Sequence, residues 1–267
     1  MAQSALVLDR ITCTFPGRNG AAYTAVAQAS LAVEEGEFVS LVGPTGCGKS
    51  TLLNVAAGLL APTAGSVTVL GTPLAGLNRH AGYLFQSDSL LPWRTARENV
   101  MLGPLLCGAG RAEAVERADA WLARVGLSGH GAKYPHELSG GMRKRVALAQ
   151  TLILDPKILL MDEPFSALDV QTRSLMENEL LALWSQDRKS VVFVTHDIEE
   201  AIALSDRVVV LSAGPAGRPL EEFRIDLARP RDVSEVRLTA RFLELHGAIW
   251  RVLKQQVLKA HRAGAAP

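Results

Sequence analysis

The chain has 267 residues, enough for one large domain with a substantial core. Charged residues make up 21% of it and the formal net charge is +1. The chain as a whole therefore lacks the strong positive charge that would indicate a nucleic-acid partner. Cys13, Cys47 and Cys107 are odd in number and form no C-x-x-C pair. This usage argues against a disulfide framework or a zinc site and is typical of a reducing cytoplasm.

The first half of the chain predicts short strands. Runs of apolar and β-branched residues between turn residues predict strands at 5–11, 25–33, 38–42, 65–71 and 82–85. A loop containing Phe15, Pro16 and Gly17 is expected after the first strand. No basic segment precedes the first apolar residues, so we expect no signal peptide. Residues 50–78 carry no charge, but prolines and glycines interrupt them, so we expect no membrane span.

A glycine-rich stretch lies between the strand at 38–42 and a helix predicted at 52–58. Its sequence is Gly43-Pro44-Thr45-Gly46-Cys47-Gly48-Lys49-Ser50-Thr51. A strand, a glycine loop and Gly-Lys-Ser at a helix start form a phosphate-binding loop, whose backbone N–H groups turn toward phosphate oxygens. Lys49 can reach the β- and γ-phosphates, and the Ser50 hydroxyl can ligate Mg²⁺. We therefore predict that the chain binds a nucleoside triphosphate.

From Gln86 onward the pattern changes from strands to helices. Three helices are predicted without an intervening strand, at 97–105, 111–125 and 140–154. Strands and helices then alternate, with strands at 158–162, 191–195, 208–211 and 220–225, and helices at 170–184, 198–204 and 234–259. This order predicts an α/β fold with a mainly parallel sheet covered on both faces, into which a helical block is inserted.

Polar residues at strand ends supply further chemistry. Asp162 ends the buried strand at 158–162 and can hold Mg²⁺ opposite Ser50, while Glu163 can orient the attacking water. His196 follows the next strand, where its imidazole can contact the γ-phosphate, although a helix-capping neighbour without chemistry is the alternative. The amide of Gln86 can help to place Mg²⁺ or water.

A second glycine pair opens the helix predicted at 140–154. Ser139, Gly140 and Gly141 provide another set of unpaired N–H donors at a helix start, although Ser139 also fits an ordinary N-cap. One chain rarely needs two anion-binding helix starts for one nucleotide. Two copies of the chain facing head to tail would use both.

In order, these motifs resemble the ATPase subunits of ABC transporters. The matching segments are 43–51, Gln86, 138–142, 158–163, 166–169 and His196. The resemblance implies a P-loop NTPase core, an N-terminal antiparallel β subdomain and a helical subdomain inserted at about 87–155. It places the ATPase domain at 1–217 and a C-terminal extension at 218–267. It also implies a dimer that holds two ATP molecules.

The resemblance also implies roles for individual residues. Glu163 corresponds to the general base, and Lys49, Ser50, Gln86 and Asp162 correspond to the phosphate and Mg²⁺ contacts. His196 corresponds to the γ-phosphate contact, and Ser139, Gly140 and Gly141 act across the dimer. Phe15 falls where the family stacks an aromatic ring on adenine, and Tyr23 is the alternative. Met142 departs from the family's usual glutamine, and its thioether cannot replace the donors of an amide.

A narrower resemblance is to the nitrate, sulfonate and taurine importer branch. It is carried by segments 90–95, 138–142, 165–173, 196–201 and 226–232. The branch implies an ATPase at the cytoplasmic face of a bacterial inner membrane, where it drives a separate permease. A periplasmic or lipid-anchored binding protein delivers a small anion. The alternatives are a soluble ABC ATPase, an exporter ATPase and a P-loop kinase.

Two hypotheses concern single segments. Cys47 lies beside Lys49, inward-facing N–H groups and a helix start, all of which favour a reactive thiolate. Leu90, Leu91 and Trp93 follow Gln86 and predict an apolar surface for a helix of the permease. Burial of these three side chains in the helical subdomain is the alternative.

Overall fold

The computed structural model describes residues 4–16 and 22–264. The strands in these ranges are β1 (Ser4–Pro16), β2 (Ala22–Glu34), β3 (Phe38–Val42), β4 (Ala64–Val69), β5 (Thr72–Pro73), β6 (Ala81–Leu84), β7 (Ile158–Asp162), β8 (Ser190–Thr195), β9 (Arg207–Leu211) and β10 (Pro219–Arg224). The helices are α1 (Lys49–Ala56), α2 (Ala96–Val100), α3 (Leu102–Leu106), α4 (Arg111–Arg124), α5 (Gly140–Leu152), α6 (Val170–Asp187), α7 (Ile198–Leu204), α8 (Val233–Val236) and α9 (Ala240–Gly264).

The strands form two sheets, and the predicted α/β class is confirmed. The larger sheet has the order β10-β9-β3-β8-β7-β6, and all its neighbours are parallel except the antiparallel pair β10 and β9. The smaller sheet is antiparallel, with the order β2-β1-β4-β5. The predicted mainly parallel core and N-terminal antiparallel β subdomain are therefore both present.

The central strands supply two hydrophobic cores because successive side chains point to opposite faces of a sheet. On β3, Phe38 and Val42 pack in one core together with α6, α7 and α9. Val39 and Leu41 pack in the other core, with α1 and the antiparallel sheet. Both faces of β3 are buried, which explains its uninterrupted apolar sequence.

Helices α2 to α5 lie between β6 and β7 and have a core of their own, which includes Val100, Leu122 and Val146. The single helix predicted at 97–105 is wrong, because α2 ends at Val100 and α3 begins at Leu102. Pro104 has no N–H to donate to the carbonyl of Val100, so it interrupts the helical hydrogen bonds.

Two further predictions of local structure are wrong. The helix predicted at 234–259 is divided into α8 and α9, and the hydroxyl of Thr239 accepts a hydrogen bond from the Phe242 N–H (3.3 Å) at the start of α9. Phe15, expected in a loop, lies on β1 opposite Tyr23 on β2. Within the described residues, no helix has both the length and the apolar composition that a membrane crossing requires.

Candidate functional site

Loops from four neighbouring parallel strands meet at one edge of the larger sheet. The phosphate loop follows β3, Gln86 follows β6, Asp162 and Glu163 lie at the end of β7, and His196 follows β8. Because β3, β8, β7 and β6 are adjacent and parallel, their carboxyl ends lie at the same edge. Ligands of such sheets bind outside this edge.

The phosphate loop depends on glycine at two positions. Gly46 and Gly48 have φ angles of 77° and 96°, in the left-handed region that favours glycine. A Cβ on Gly46 would meet nothing within 4 Å, so the space beside its backbone is open. Lys49 is 7% exposed, and its Nζ donates to the carbonyls of Gly43 (2.8 Å) and Pro44 (3.1 Å). The ammonium group is therefore held at the base of the loop.

Ser50 and Asp162 face each other across the cleft. The Ser50 hydroxyl donates to Asp162 Oδ1 at 3.1 Å. Burial raises the pKa of Asp162 and the charge of Glu163 raises it further, while the Ser50 hydrogen bond and Lys49 lower it. A hydroxyl and a carboxylate are the oxygen ligands that Mg²⁺ prefers. The pair fits one Mg²⁺ whose other ligands come from phosphate and water.

Glu163 lies between two polar side chains. Its Oε2 is 3.4 Å from Gln86 Nε2, which donates to it, and 3.2 Å from His196 Nδ1. Glu163 has a φ of 44°, a left-handed conformation that is uncommon outside glycine and is often found at functional sites. Its N–H donates to the Val194 carbonyl (2.9 Å) and its carbonyl accepts from the Ser166 hydroxyl (3.0 Å). The carboxylate is thus held at the end of β7, where it lines the cleft.

These groups line one cleft of about 630 Å³. Its walls comprise Phe15, Tyr23, Ala25, Thr45, Gly46, Gly48, Lys49, Ser50, Thr51, Gln86, Asp162, Glu163 and His196. Phe15 and Tyr23 both reach it, so the geometry keeps both as candidates for stacking on an adenine ring. The other members of the glycine-rich stretch, Gly43, Pro44 and Cys47, are buried beneath it.

Sequence reasoning missed Tyr83 on β6. Its hydroxyl donates to Asn54 Oδ1 (3.1 Å), and its ring stacks on Phe85 with centroids 4.2 Å apart. Burial and the nearby Asp162 charge raise the pKa of Tyr83, so it stays a neutral hydroxyl beside that carboxylate. Its position in the strand before Gln86 is the one signal that was available.

The prediction of a reactive Cys47 thiolate is wrong. The side chain is fully buried, and this burial raises the pKa of the thiol more than the nearby Lys49 charge lowers it. Cys47 Sγ lies 3.9 Å from Lys49 Nζ but packs among apolar residues beneath the loop. The backbone of Cys47 belongs to the loop, whereas its thiol belongs to the core.

The second glycine pair lies away from the cleft. Ser139 caps α5, because its Oγ accepts from the Met142 N–H (3.3 Å). Ser139, Gly140 and Gly141 are not among the described residues that line the cleft. A Cβ on Gly141 would lie 2.7 Å from Thr172 Cγ2 of α6, so glycine permits this close approach. Met142 packs its side chain against the core of the helical block.

Comparisons with known proteins agree with this geometry. A family model described as “ABC transporter” matches residues 26–166. An uncharacterized ABC transporter ATP-binding protein of Methanocaldococcus jannaschii is 48% identical over 242 residues, which are 91% of this chain and 89% of the relative. A taurine import ATP-binding protein of Mesorhizobium japonicum is 47% identical over 224 residues, which are 84% of this chain and 86% of the relative.

A solved structure is also similar. It is a dimeric ATP-binding cassette in a post-hydrolysis state with ADP and Pi bound, and it superimposes with a TM-score of 0.74 at 34% identity. The match covers 84% of this chain and 100% of that cassette. The family match at 26–166 includes both the phosphate loop and helices α2 to α5.

Proposed function

Since the chain belongs to the ABC transporter family as an ATP-binding and ATP-hydrolysing subunit, we propose that it powers uptake of a small anion. The anion is of the nitrate, sulfonate or taurine type and crosses through a separate permease. The observation that carries the site assignment is the convergence of the phosphate loop, Gln86, Asp162, Glu163 and His196 on one cleft. The taurine import relative supports the substrate class.

In this proposal the cleft residues divide the work of phosphoryl transfer. Lys49 and the loop N–H groups bind the β- and γ-phosphates, and Ser50 and Asp162 hold Mg²⁺, which would neutralise charge on the phosphates. Glu163 orients the attacking water and accepts its proton at the carboxylate. Gln86 and His196 hold that carboxylate on either side.

We further propose how the chain assembles. The chain forms a dimer in which Ser139, Gly140 and Gly141 of one copy face the nucleotide of the other. This proposal is supported by the finding that the three residues do not line the cleft of their own chain. Residues 1–217 form the ATPase domain, the helical subdomain occupies about 87–155, and 218–267 form an extension. The dimer binds the permease peripherally at the cytoplasmic face of the membrane, and a periplasmic or lipid-anchored protein delivers the anion.

Uptake in cells tests this function. Deleting the gene should abolish energy-dependent uptake of isotopically labelled nitrate, taurine or an alkanesulfonate. Wild-type chain should restore uptake of one of these anions, whereas Lys49→Ala should not, because it removes the phosphate-contacting ammonium group. Unchanged uptake of all three anions in the deletion strain would contradict the importer proposal.

A further inference from the structure

The C-terminal helix α9 contacts the loop that joins β9 to β10. Gln256 is 3% exposed, and its Oε1 accepts a hydrogen bond from the Ala213 N–H at 3.2 Å. Ala213 is the first residue of a short segment, 213–217, which we call the backing loop. Since burying a polar amide is costly unless it is paired, this contact fixes both partners.

The backing loop lies directly behind the phosphate loop. A Cβ on Gly217 would lie 1.9 Å from the carbonyl oxygen of Cys47, and one on Gly214 would lie 2.6 Å from that of Gly46. Real Cβ atoms essentially never approach so closely, so both positions require glycine. The two backbones are therefore in direct contact, and a shift of one displaces the other.

The two ends of the backing loop are held differently. Its far end joins β2, because the Gly217 N–H donates to the Ala25 carbonyl (3.0 Å) and the Ala27 N–H donates to the Gly217 carbonyl (3.2 Å). Its near end, at Ala213, is held by the side chain of Gln256. The helix that carries Gln256 is itself anchored in the main core, through Phe242, Leu245, Ile249 and Leu253.

We propose that Gln256 is a positioning residue for nucleotide binding. It holds the backing loop, and through it the backbone of Gly46 and Cys47, in the arrangement that receives phosphate oxygens. The inference rests on the proposed role of the phosphate loop and assigns a function to α9, which lies outside the family match at 26–166. The extension thereby becomes part of the nucleotide site without touching the nucleotide.

Three substitutions in the full-length chain test this role. The probe is a non-hydrolysable ATP analogue with Mg²⁺, titrated by calorimetry, and thermal unfolding is measured in parallel. Gln256→Leu removes the acceptor and should raise the Kd about fivefold, the factor for one neutral hydrogen bond. Gln256→Glu keeps an acceptor oxygen and should leave the Kd within about twofold of wild type, although the buried carboxyl lowers the unfolding temperature. Gln255→Leu, on the exposed side of α9, is the matched control and should leave the Kd unchanged.

The two Gln256 variants distinguish an effect on nucleotide affinity from an effect on the stability of the fold. Gln256→Leu should weaken binding, whereas Gln256→Glu should lower the unfolding temperature and keep the affinity. Wild-type affinity in Gln256→Leu would overturn the inference. The inference would also be overturned if the variant with the lower unfolding temperature always bound the analogue more weakly, so that Gln256→Glu was the weakest binder. A wild-type chain that fails to bind the analogue would contradict the proposed function, and the inference would fall with it.

A second pair of variants tests the contact itself. Gly217→Ala places a methyl group against the Cys47 carbonyl and should weaken analogue binding more than Gln256→Leu does. Gly247→Ala on α9 is the control, because a Cβ there meets nothing within 4 Å. Equal affinity in Gly217→Ala and Gly247→Ala would show that the backing loop does not shape the phosphate loop.

Discussion

Glu163 is held by its backbone and by two neighbouring side chains, and its carboxylate is 21% exposed. Glu163→Gln retains the size of the side chain but removes the proton acceptor, so ATP turnover should fall by about 10²–10⁴-fold. Nucleotide affinity should stay close to wild type, since no predicted phosphate contact is lost. Phosphate release and analogue titration measure the two quantities, and turnover at the wild-type rate would exclude Glu163 as the base.

Glu200 provides a test of pH-dependent stability. Its pKa is raised to about 8, with burial as the largest cause and the charges of Glu177 and Asp197 acting in the same direction, while a hydrogen bond from the Thr195 hydroxyl and the charge of Arg173 oppose the shift. Because the folded pKa exceeds the ordinary value of 4.5, the folded state binds this proton more tightly than the unfolded state does. The stability contributed by Glu200 is therefore complete below pH 4.5 and is lost as pH rises through 8.

Glu200→Gln should consequently flatten the pH dependence of unfolding. Between pH 5 and 8 the wild-type chain should lose on the order of 1–3 kcal/mol through this group, and the variant should not. Urea unfolding at several pH values measures the difference. Parallel curves for the two proteins would show that Glu200 does not titrate in this window.

Residues in short motifs could be found from the sequence, whereas their surroundings could not. The phosphate loop is one unbroken stretch of sequence, and Asp162 and Glu163 are adjacent residues, so local sequence reveals the chemistry of each motif. Tyr83 belongs to no motif, and its place beside Asp162 depends on the pairing of β6 with β7. The side-chain direction of Cys47 depends on how the loop turns, which the order of the residues does not reveal.

Among the elements, the loop after Gln86 is tied to α5. Asp88 accepts a hydrogen bond from Arg143 Nε (2.9 Å) and forms an ion pair with Lys144 Nζ (3.1 Å). Lys144 is 3% exposed and also donates to the Gln86 carbonyl at 2.6 Å. Gln86 and the helix that Ser139 caps are therefore linked by direct contacts. Ion pairs between distant segments of this kind have no sequence signature.

The apolar residues in this loop differ in their surroundings. Leu90 packs against two cores, and Asn99 holds the backbone of Leu91, whose N–H donates to Asn99 Oδ1 (2.8 Å). Trp93, by contrast, is 70% exposed. Leu90 and Leu91 thus form a fixed base from which the indole ring of Trp93 projects. We propose that Trp93 makes the contact with the permease.

Single substitutions distinguish the residue that stabilises the fold, Leu90, from the residue proposed to contact the permease, Trp93. Leu90→Ala should destabilise the chain by about 1–3 kcal/mol through lost packing. Trp93→Ala should leave thermal unfolding and basal ATPase activity near wild type but abolish copurification with the permease. Leu238→Ala, at an 83% exposed leucine of the extension, is the control and should leave copurification intact. Copurification that survives in Trp93→Ala would place the docking surface elsewhere.

At the scale of the whole molecule, one chain does not bring together the phosphate loop and the Ser139 helix start, which we propose are the two halves of a nucleotide site. The phosphate loop lines the cleft, and Ser139 lies outside it at the start of α5. The fold class could be predicted because alternating strands and helices leave few topologies. The relation between two copies could only be inferred, since no contact between copies is encoded in local spacing.

A head-to-tail dimer predicts complementation between two inactive chains. Lys49→Ala removes the phosphate contact of its own copy, and Ser139→Arg obstructs the surface that its copy presents to the partner. In a mixed dimer, the intact Lys49 of one chain faces the intact Ser139 of the other, so one of the two sites is complete.

Random pairing makes about half of the dimers mixed, and we expect roughly a quarter of wild-type ATPase activity if the sites are independent. Phosphate release from the mixture measures this, and a chain carrying both substitutions, mixed with either single variant, is the control and should remain inactive. If the mixture of single variants stays as inactive as each variant alone, Lys49 and Ser139 do not form one site across the dimer.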